Sequence, residues 1–373
     1  MLVSWVTPIS FVDVDLPIIA ELQKAVKINW QIVIGTSLTD DLRCYLDSHL
    51  EKTSNLTYEY VNNPYRPFDI RTLFTFIRIL KKARDSNPDL YYTSLNTAPF
   101  GPWIYKVYLP TEKVLAACHN VSTPKGANRE LYNKFFTYLY LRTFNNIQVF
   151  SESQKEILIT KFPSKNVLLA PLAIKDYGEP LVPRKPFDNR EVVFLFFGII
   201  SPYKRVDLLI EAAQNLYEQG NQGFKVKIAG KCKNWEKYGR LIKYPQLFDL
   251  RIEHIPNAEV ANLFAVSDYL VLPYQDIAQS GAITVAYRYN LPIILSNLPQ
   301  FRPFCEDGKT GLFFECDNVR DLELMMRKAI EGGDQLHEFF KKELHLFVEK
   351  QFSTEAIAQK YLEFFDEMLL DQK

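Results

Sequence analysis

Short apolar runs alternate with stretches of helical periodicity along the whole chain. This alternation constrains the fold more than any other feature, because parallel strands require helical crossovers. The first series reads LVSWV, a helix from about Leu16, INWQIVIG, a helix around Asp40 to Glu51, and a basic helix near Arg71 to Arg84. It continues through a strand at Leu90 to Ser94, then VLAACHN and IQVFSES, and closes with VLLAPLA. From Ala173 to Arg190 the pattern breaks into IKDYGEPLVPRKPFDNR, whose prolines and mixed charges mark a boundary. A second series follows: VVFLFFG, a helix at Val206 to Leu216, KVKIAG, RIEHIP, a helix at Val260 to Val266, YLVLPY, a helix opened by Ser280, and IILS. The tail STEAIAQKYLEFFDEMLL is helical in its apolar spacing. The expected fold is α/β, with two doubly wound, Rossmann-like domains at residues 1–172 and 191–350, a linker at 173–190, and a C-terminal helix at 351–373. Ligands are expected at the C-terminal ends of the strands.

Within that frame, two segments carry a chemical signal. In FLFFGIISPYKRVDLLIEAAQNL, Phe194 to Leu216, a buried strand gives way to a tight loop and a helix begun by Lys204 and Arg205. In DIAQSGAITVAYRYNLPIILS, Asp276 to Ser296, a second loop leads into a helix at Ser280 and Gly281. A helix N-terminus offers free N–H groups to an anion, and cations beside it complement a phosphate or diphosphate, so the pair predicts a nucleotide site. The plain alternatives are a solvated lysine at a helix start and a serine that only caps its helix.

Charge excludes other classes. Lys and Arg total 44 and so do Asp and Glu, giving no net charge and disfavouring a broad nucleic-acid surface. Segregation is slight: Met1 to Leu172 holds 19 basic and 15 acidic residues, leaving −4 for the remainder. The five cysteines, Cys44, Cys118, Cys232, Cys305 and Cys316, show no CxxC spacing, which disfavours zinc and a disulfide framework and favours a reduced, cytoplasmic setting. MLVSWVTPISF lacks a basic n-region and a cleavage site, and no apolar run approaches the ~18 residues that would span a bilayer. Asp13-Val14-Asp15 has the look of a DxD metal motif, but its place in the first loop favours helix-start chemistry. The helix RTLFTFIRILKKAR mixes aromatic and basic residues. It is read as a crossover helix with a solvated basic face, with peripheral contact to an anionic membrane as the second reading.

The segments FGIISPYKRVDLLIEA, KIAGK, IPNAEVANLFAVSDYLVLPY, QSGAITVAYRYNLPII and EDGKTGLFFE resemble, in order and spacing, the C-terminal half of the GT4 family of retaining glycosyltransferases, which have the GT-B fold. CHN at Cys118 to Asn120 and FSESQKEIL from Phe150 extend the resemblance, less specifically, to about Leu90. The family implies two Rossmann-like domains facing across a cleft, with the C-terminal helix crossing back to the first. It implies transfer of a sugar from a nucleotide-sugar to an acceptor hydroxyl with retention and without an obligatory metal. The partners implied are the donor, which is a substrate rather than a cofactor, and a glycan or lipid-linked glycan acceptor.

The resemblance assigns Lys204 to the donor diphosphate, where it also serves catalysis, and places Gly198, Arg205, Asp276, Gln279, Ser280 and Gly281 around the donor. His119 would reach the donor sugar, and Ser94, Asn96 and Thr97 would line the acceptor pocket, although a satisfied strand-end histidine and a simple turn are the bland readings. Two departures stand out. The family's paired glutamates would fall at Ile277 and Val285, and the arginine after the loop glycine is replaced by Ile199. Asp276 and Arg205 are the nearest substitutes. An active transferase in cell-surface polysaccharide or glycolipid synthesis therefore stands beside a non-catalytic GT4-like partner subunit. A nicotinamide oxidoreductase is disfavoured by the absence of G-x-G-x-x-G after the first strand.

Overall fold

The computed structural model describes residues 1–35, 46, 53–94, 100–122, 130–182, 191–277 and 280–370. Except for Leu46, the helix expected at Asp40 to Glu51 lies outside the described residues, as do residues 183–190 of the linker. The chain divides into two compact units. One takes Met1–Thr123, Ala127–Ala173 and Phe352–Lys373, and the other takes Ile174–Gln351.

The first unit is built on a parallel sheet. Its strands are β1 (Leu2–Pro8), β2 (Lys27–Ile34), β3 (Leu56–Asn62), β4 (Leu90–Thr93), β5 (Val114–Ala117), β6 (Asn146–Val149) and β7 (Asn166–Leu169). Among the described residues their order is β3-β2-β1-β4-β5-β6-β7. Register across the centre sets Trp5 opposite both Trp30 and Tyr92. The period of two sorts the side chains: Val3 and Trp5 enter one core and Val6 the other. Helix α1 (Val12–Leu22) covers the first face, and α2 (Ile70–Asp85), α3 (Gly101–Tyr108), α4 (Glu130–Thr143) and α5 (Glu152–Lys161) cover the second. The α1 helix starts at Val12 rather than about Leu16 and carries Pro17 inside it. Strand β3 was not expected; its LTYEYVN alternation is only half-buried, as suits an edge.

The second unit repeats the plan with β8 (Val192–Phe197), α6 (Val206–Glu218), β9 (Phe224–Ala229), β10 (Phe248–Arg251), α7 (Asn257–Ala265), β11 (Tyr269–Leu272), α8 (Gly281–Arg288), β12 (Ile293–Ser296), β13 (Gly311–Phe314), α9 (Val319–Glu331) and α10 (Gly333–Phe352). Its strand order is β10-β9-β8-β11-β12-β13, so the order reverses between β8 and β11. Ligands of such sheets bind where the order reverses, beyond the strand ends. The strand expected at RIEHIP instead ends at Arg251, where Leu250 and Arg251 pair with Ile228 and Ala229. Pro256 then sits at the N-cap of α7 and cannot extend the ladder.

The last helix, α11 (Thr354–Leu370), belongs to the first unit. It buries Ile357, Tyr361, Phe365 and Met368 in the core formed by β1, β2 and α1. Tyr361 also accepts a hydrogen bond from Gln148 Nε2 at 2.5 Å.

Candidate functional site

In the second unit the reversal point is flanked by the loop after β8 and the loop after β11. Strand β8 leads into Gly198, whose φ of +114° is open to glycine and little else. Its N–H donates to the Ala229 carbonyl at 2.9 Å. Gly230 (φ +147°) crosses directly over it, where a Cβ would lie 2.1 Å from the Gly198 carbonyl oxygen. This close crossing fixes the start of the loop that carries Lys204. On the open side of Gly198, a Cβ would lie 3.3 Å from Lys204 Nζ, so the ammonium is held against the glycine backbone.

Lys204 Nζ also lies 5.2 Å from the centre of the Tyr274 ring. Burial lowers its pKa from 10.5 to about 8. Among the described residues no carboxylate pairs with it; the aromatic face is its electrostatic partner. The Gln275 N–H donates to the Tyr203 carbonyl at 2.9 Å and ties this loop to the one after β11. Tyr203 and Tyr274 meet edge to face at 6.0 Å. Burial pushes both phenols up, and Asp276 adds to the effect on Tyr203, placing that half-buried carboxylate beside the loop.

The start of α8 completes the arrangement. Ser280 is buried at the N-cap, yet its hydroxyl makes no capping bond, so capping does not account for it. Among the described residues no side chain caps the first turn, whose amides suit an anionic acceptor. A Cβ at Gly281 would meet only Lys175, with Nζ at 3.4 Å and Cε at 3.6 Å. A lysine from the segment after β7 thus lies over the start of α8, a placement the sequence reading missed. Gln279 lies outside the described residues.

Arg205, read as a second cation, is otherwise engaged. It precedes α6 in the left-handed region (φ 47°, ψ 46°), its Nε binds Asp207 Oδ2 at 3.0 Å, and its guanidinium also pairs with Asp317. Ile277 and Val285, where the acidic pair was sought, are 5% and 1% exposed and belong to the core.

In the first unit, His119 follows β5 and is buried between two rings, Phe11 at 3.6 Å and Phe150 at 4.5 Å, both nearly parallel to it. The stack covers both faces of the imidazole, so only its edge can meet a ligand. The segment after it is fixed by Gln154 Oε1, which accepts from the N–H groups of Val121 (2.7 Å) and Ser122 (3.1 Å). Ser94 follows β4 and is fully buried, with its backbone N–H on the Val6 carbonyl at 3.2 Å. Asn96 and Thr97 lie outside the described residues.

Asp15 is no metal ligand in this arrangement. It is buried under Thr7 Oγ1 (2.5 Å), Trp5 Nε1 (3.0 Å) and the Tyr92 hydroxyl (3.3 Å). Desolvation dominates these bonds and raises its pKa from 3.8 to about 6.

Residues 179–344 match the family model described as glycosyl transferases group 1. Poly(ribitol-phosphate) alpha-N-acetylglucosaminyltransferase of Staphylococcus aureus (strain COL) is 24% identical over 236 residues, which are 60% of this chain and 44% of that protein. The chain thus spans less than half the length of this curated relative. Among solved structures, Anabaena Alr3699/HepE in complex with UDP and glucose superposes with a TM-score of 0.73 at 14% identity, covering 98% of this chain and 100% of that one. Sucrose-phosphate synthase of Thermosynechococcus elongatus gives 0.74 at 13% identity over the whole of both chains. TarM of S. aureus gives 0.62 at 18% identity over 78% of this chain and 58% of that one. The two parallel sheets and these likenesses establish the GT-B fold.

Proposed function

We infer, from the GT-B fold and the match of residues 179–344 to the glycosyl transferases group 1 model, a glycosyltransferase that moves a sugar from a nucleotide-sugar to a hydroxyl of a glycan or glycolipid acceptor. The observation that carries this reading is Lys204: a buried ammonium with no carboxylate partner among the described residues, at the reversal point of the second sheet. Such a site stabilises an anion whose charge grows as the bond to it breaks, which describes a departing nucleoside diphosphate. Lys204 takes one phosphate. The amides at Gly281, with Lys175 above them, take the other, in place of the arginine that Ile199 replaces. Gly198 permits close approach, and Asp276 is the nearest substitute for the family's acidic pair.

The two lysines supply charge neutralisation of the kind a metal gives elsewhere, which suits a metal-independent reaction. Retention at the anomeric carbon follows from the GT4 resemblance. The GT4 resemblance assigns His119 to the donor sugar. Ser94, Asn96 and Thr97 stand for the acceptor side. The name of the S. aureus relative supports a polymer of the poly(ribitol-phosphate) kind as acceptor, and nucleotide-sugar use suits the cytoplasm.

Calorimetry and thermal shift with UDP, GDP, ADP and their sugar conjugates test this directly. A ligand at 100 times its Kd adds about 2.7 kcal/mol to the native state. One nucleotide is expected to stabilise the wild type. Lys204→Ala should abolish the effect and lower transfer by roughly a hundredfold, the scale of losing one preorganised charge. Lys175→Ala should weaken binding without changing which base is chosen. Stabilisation by none of the nucleotides would sink the donor site.

A second reading rests on Ile277 and Val285. With apolar core residues where the family holds its acidic pair, the chain would be a partner subunit that binds no donor alone and gains activity only in a complex. Donor hydrolysis by the isolated chain would exclude it.

A further inference from the structure

The outer face of α2, α3 and α4 in the first unit concentrates large apolar side chains that water should disfavour. Phe68, Ile70, Phe74, Trp103, Leu131 and Phe135 are between 57% and 82% exposed. These helices form one layer over one face of the sheet, and their inner sides fill a single core. The exposed side chains are thus additional to those the fold uses. Phe68 before α2 touches Tyr132 of α4 with ring centres 5.6 Å apart, so the patch is continuous from one helix to another. Ile70, Trp103 and Leu131 all lie in the first turns of their helices, on the ligand-binding edge of a parallel sheet.

The charge around the patch identifies what covers it. On α2, Arg71 and Lys82 are paired with Asp69 and Glu59. Arg66, Lys81 and Lys106 make no ion pair among the described residues, while Arg78 lies close enough to Glu59 to help lower its pKa. A face of Trp, Phe and Leu interleaved with Arg and Lys is the composition that lies in the boundary of an anionic bilayer. A second copy of the same face would set like charges against one another. No described helix is long and apolar enough to cross a membrane, so contact would be peripheral.

We propose that the α2–α3–α4 face docks the protein on an anionic phospholipid surface, with the ligand edge of the first sheet held at the headgroups. This rests on the first unit alone and is independent of the donor site.

The test is co-sedimentation of the full chain with vesicles of phosphatidylcholine alone or mixed with phosphatidylglycerol, at low and high salt. Binding to the anionic vesicles is expected to be at least about tenfold stronger than to neutral ones and to weaken with salt. The triple variant Phe74→Ser, Trp103→Ser, Leu131→Ser should lose at least about tenfold in partition. It should keep its melting temperature, since it changes only exposed side chains. Arg78→Gln with Lys81→Gln and Lys106→Gln should erase the preference for anionic lipid. Absence of binding, or equal binding to both vesicles, would overturn the proposal. So would a wild type that dimerises through this face while ignoring vesicles, since a second copy would then be its occupant.

Discussion

Lys204 should make nucleotide binding depend on pH in a window that a solvated lysine would not reach. Its folded pKa, about 8, lies below the ordinary 10.5, so between these values the folded chain holds fewer protons than the unfolded one and gains stability as pH rises. Phosphate binding requires the proton and should respond in the opposite sense. The Kd for the stabilising nucleotide is expected to be flat up to pH 7.5 and then to weaken above pH 8, approaching tenfold per pH unit. Lys204→Arg should flatten the profile, and calorimetry across pH 6.5 to 9.5 reads both. Asp15 has the other sign. Its folded pKa of about 6 exceeds the unfolded 3.8, so its contribution is fully present below 3.8 and is lost as pH rises through about 6. The loss amounts to about 3 kcal/mol. Asp15→Asn removes that titration, and its denaturation free energy should gain on the wild type by about this amount between pH 3.5 and pH 7. Parallel curves would show that Asp15 does not carry the burden. Sequence pattern set Lys204 between a strand and a helix and so made it legible. Lys175 was not, because it stands far from Gly281 in sequence and only the fold brings the two together.

The strand ends set the loops, and the Gly198–Gly230 crossing holds three of them in place. Gly198 N–H reaches the end of β9, Ile200 N–H reaches Lys231, and Gly230 N–H reaches the end of β10. A side chain at 230 would have to displace backbone from a φ that other residues rarely adopt. Gly230→Ala is expected to cost about 2–4 kcal/mol and to weaken nucleotide binding, because the loop of Lys204 starts there. Gly220→Ala shares a positive φ (+86°) but opens into free space, so it should cost only about 1 kcal/mol. Urea unfolding of the two variants separates a crowded crossing from simple backbone strain. At this scale, runs such as VVFLFF and IILS are legible as strands because both faces are buried. RIEHIP misleads because pairing to β9, rather than apolar content, decides where β10 stops. The edge strand β3 escapes notice because a half-exposed surface leaves only a weak pattern.

The whole chain is not partitioned in sequence order, and stability should follow space rather than sequence. The linker composition and the two α/β series disclose two units, since each series can close its own core. The spacing of Ile357, Tyr361, Phe364, Phe365 and Met368 marks α11 as amphipathic, but no local pattern says which core it covers. It covers the core of the first unit, beside Trp5 and Tyr92, with Tyr361 ring centres 6.0 and 6.3 Å from theirs. Burying five such side chains contributes roughly 8–15 kcal/mol at about 1.5–3 kcal/mol each, an upper bound on the extended-chain reference. That is comparable with the ~5–15 kcal/mol by which a whole domain is stable. A chain ending at Phe352 should therefore lose the folded first unit, remote in sequence, while the second unit keeps its own transition and its stabilisation by nucleotide. Hydrogen exchange should then show β1, β2 and α1 unprotected and β8 to β13 still protected. Protection of β1 and β2 in the truncated chain would mean that α1 and the sheet close that core without α11. The single change Phe365→Ala gives the same reading more gently. It should destabilise by about 3–5 kcal/mol, with the loss of protection confined to the first unit.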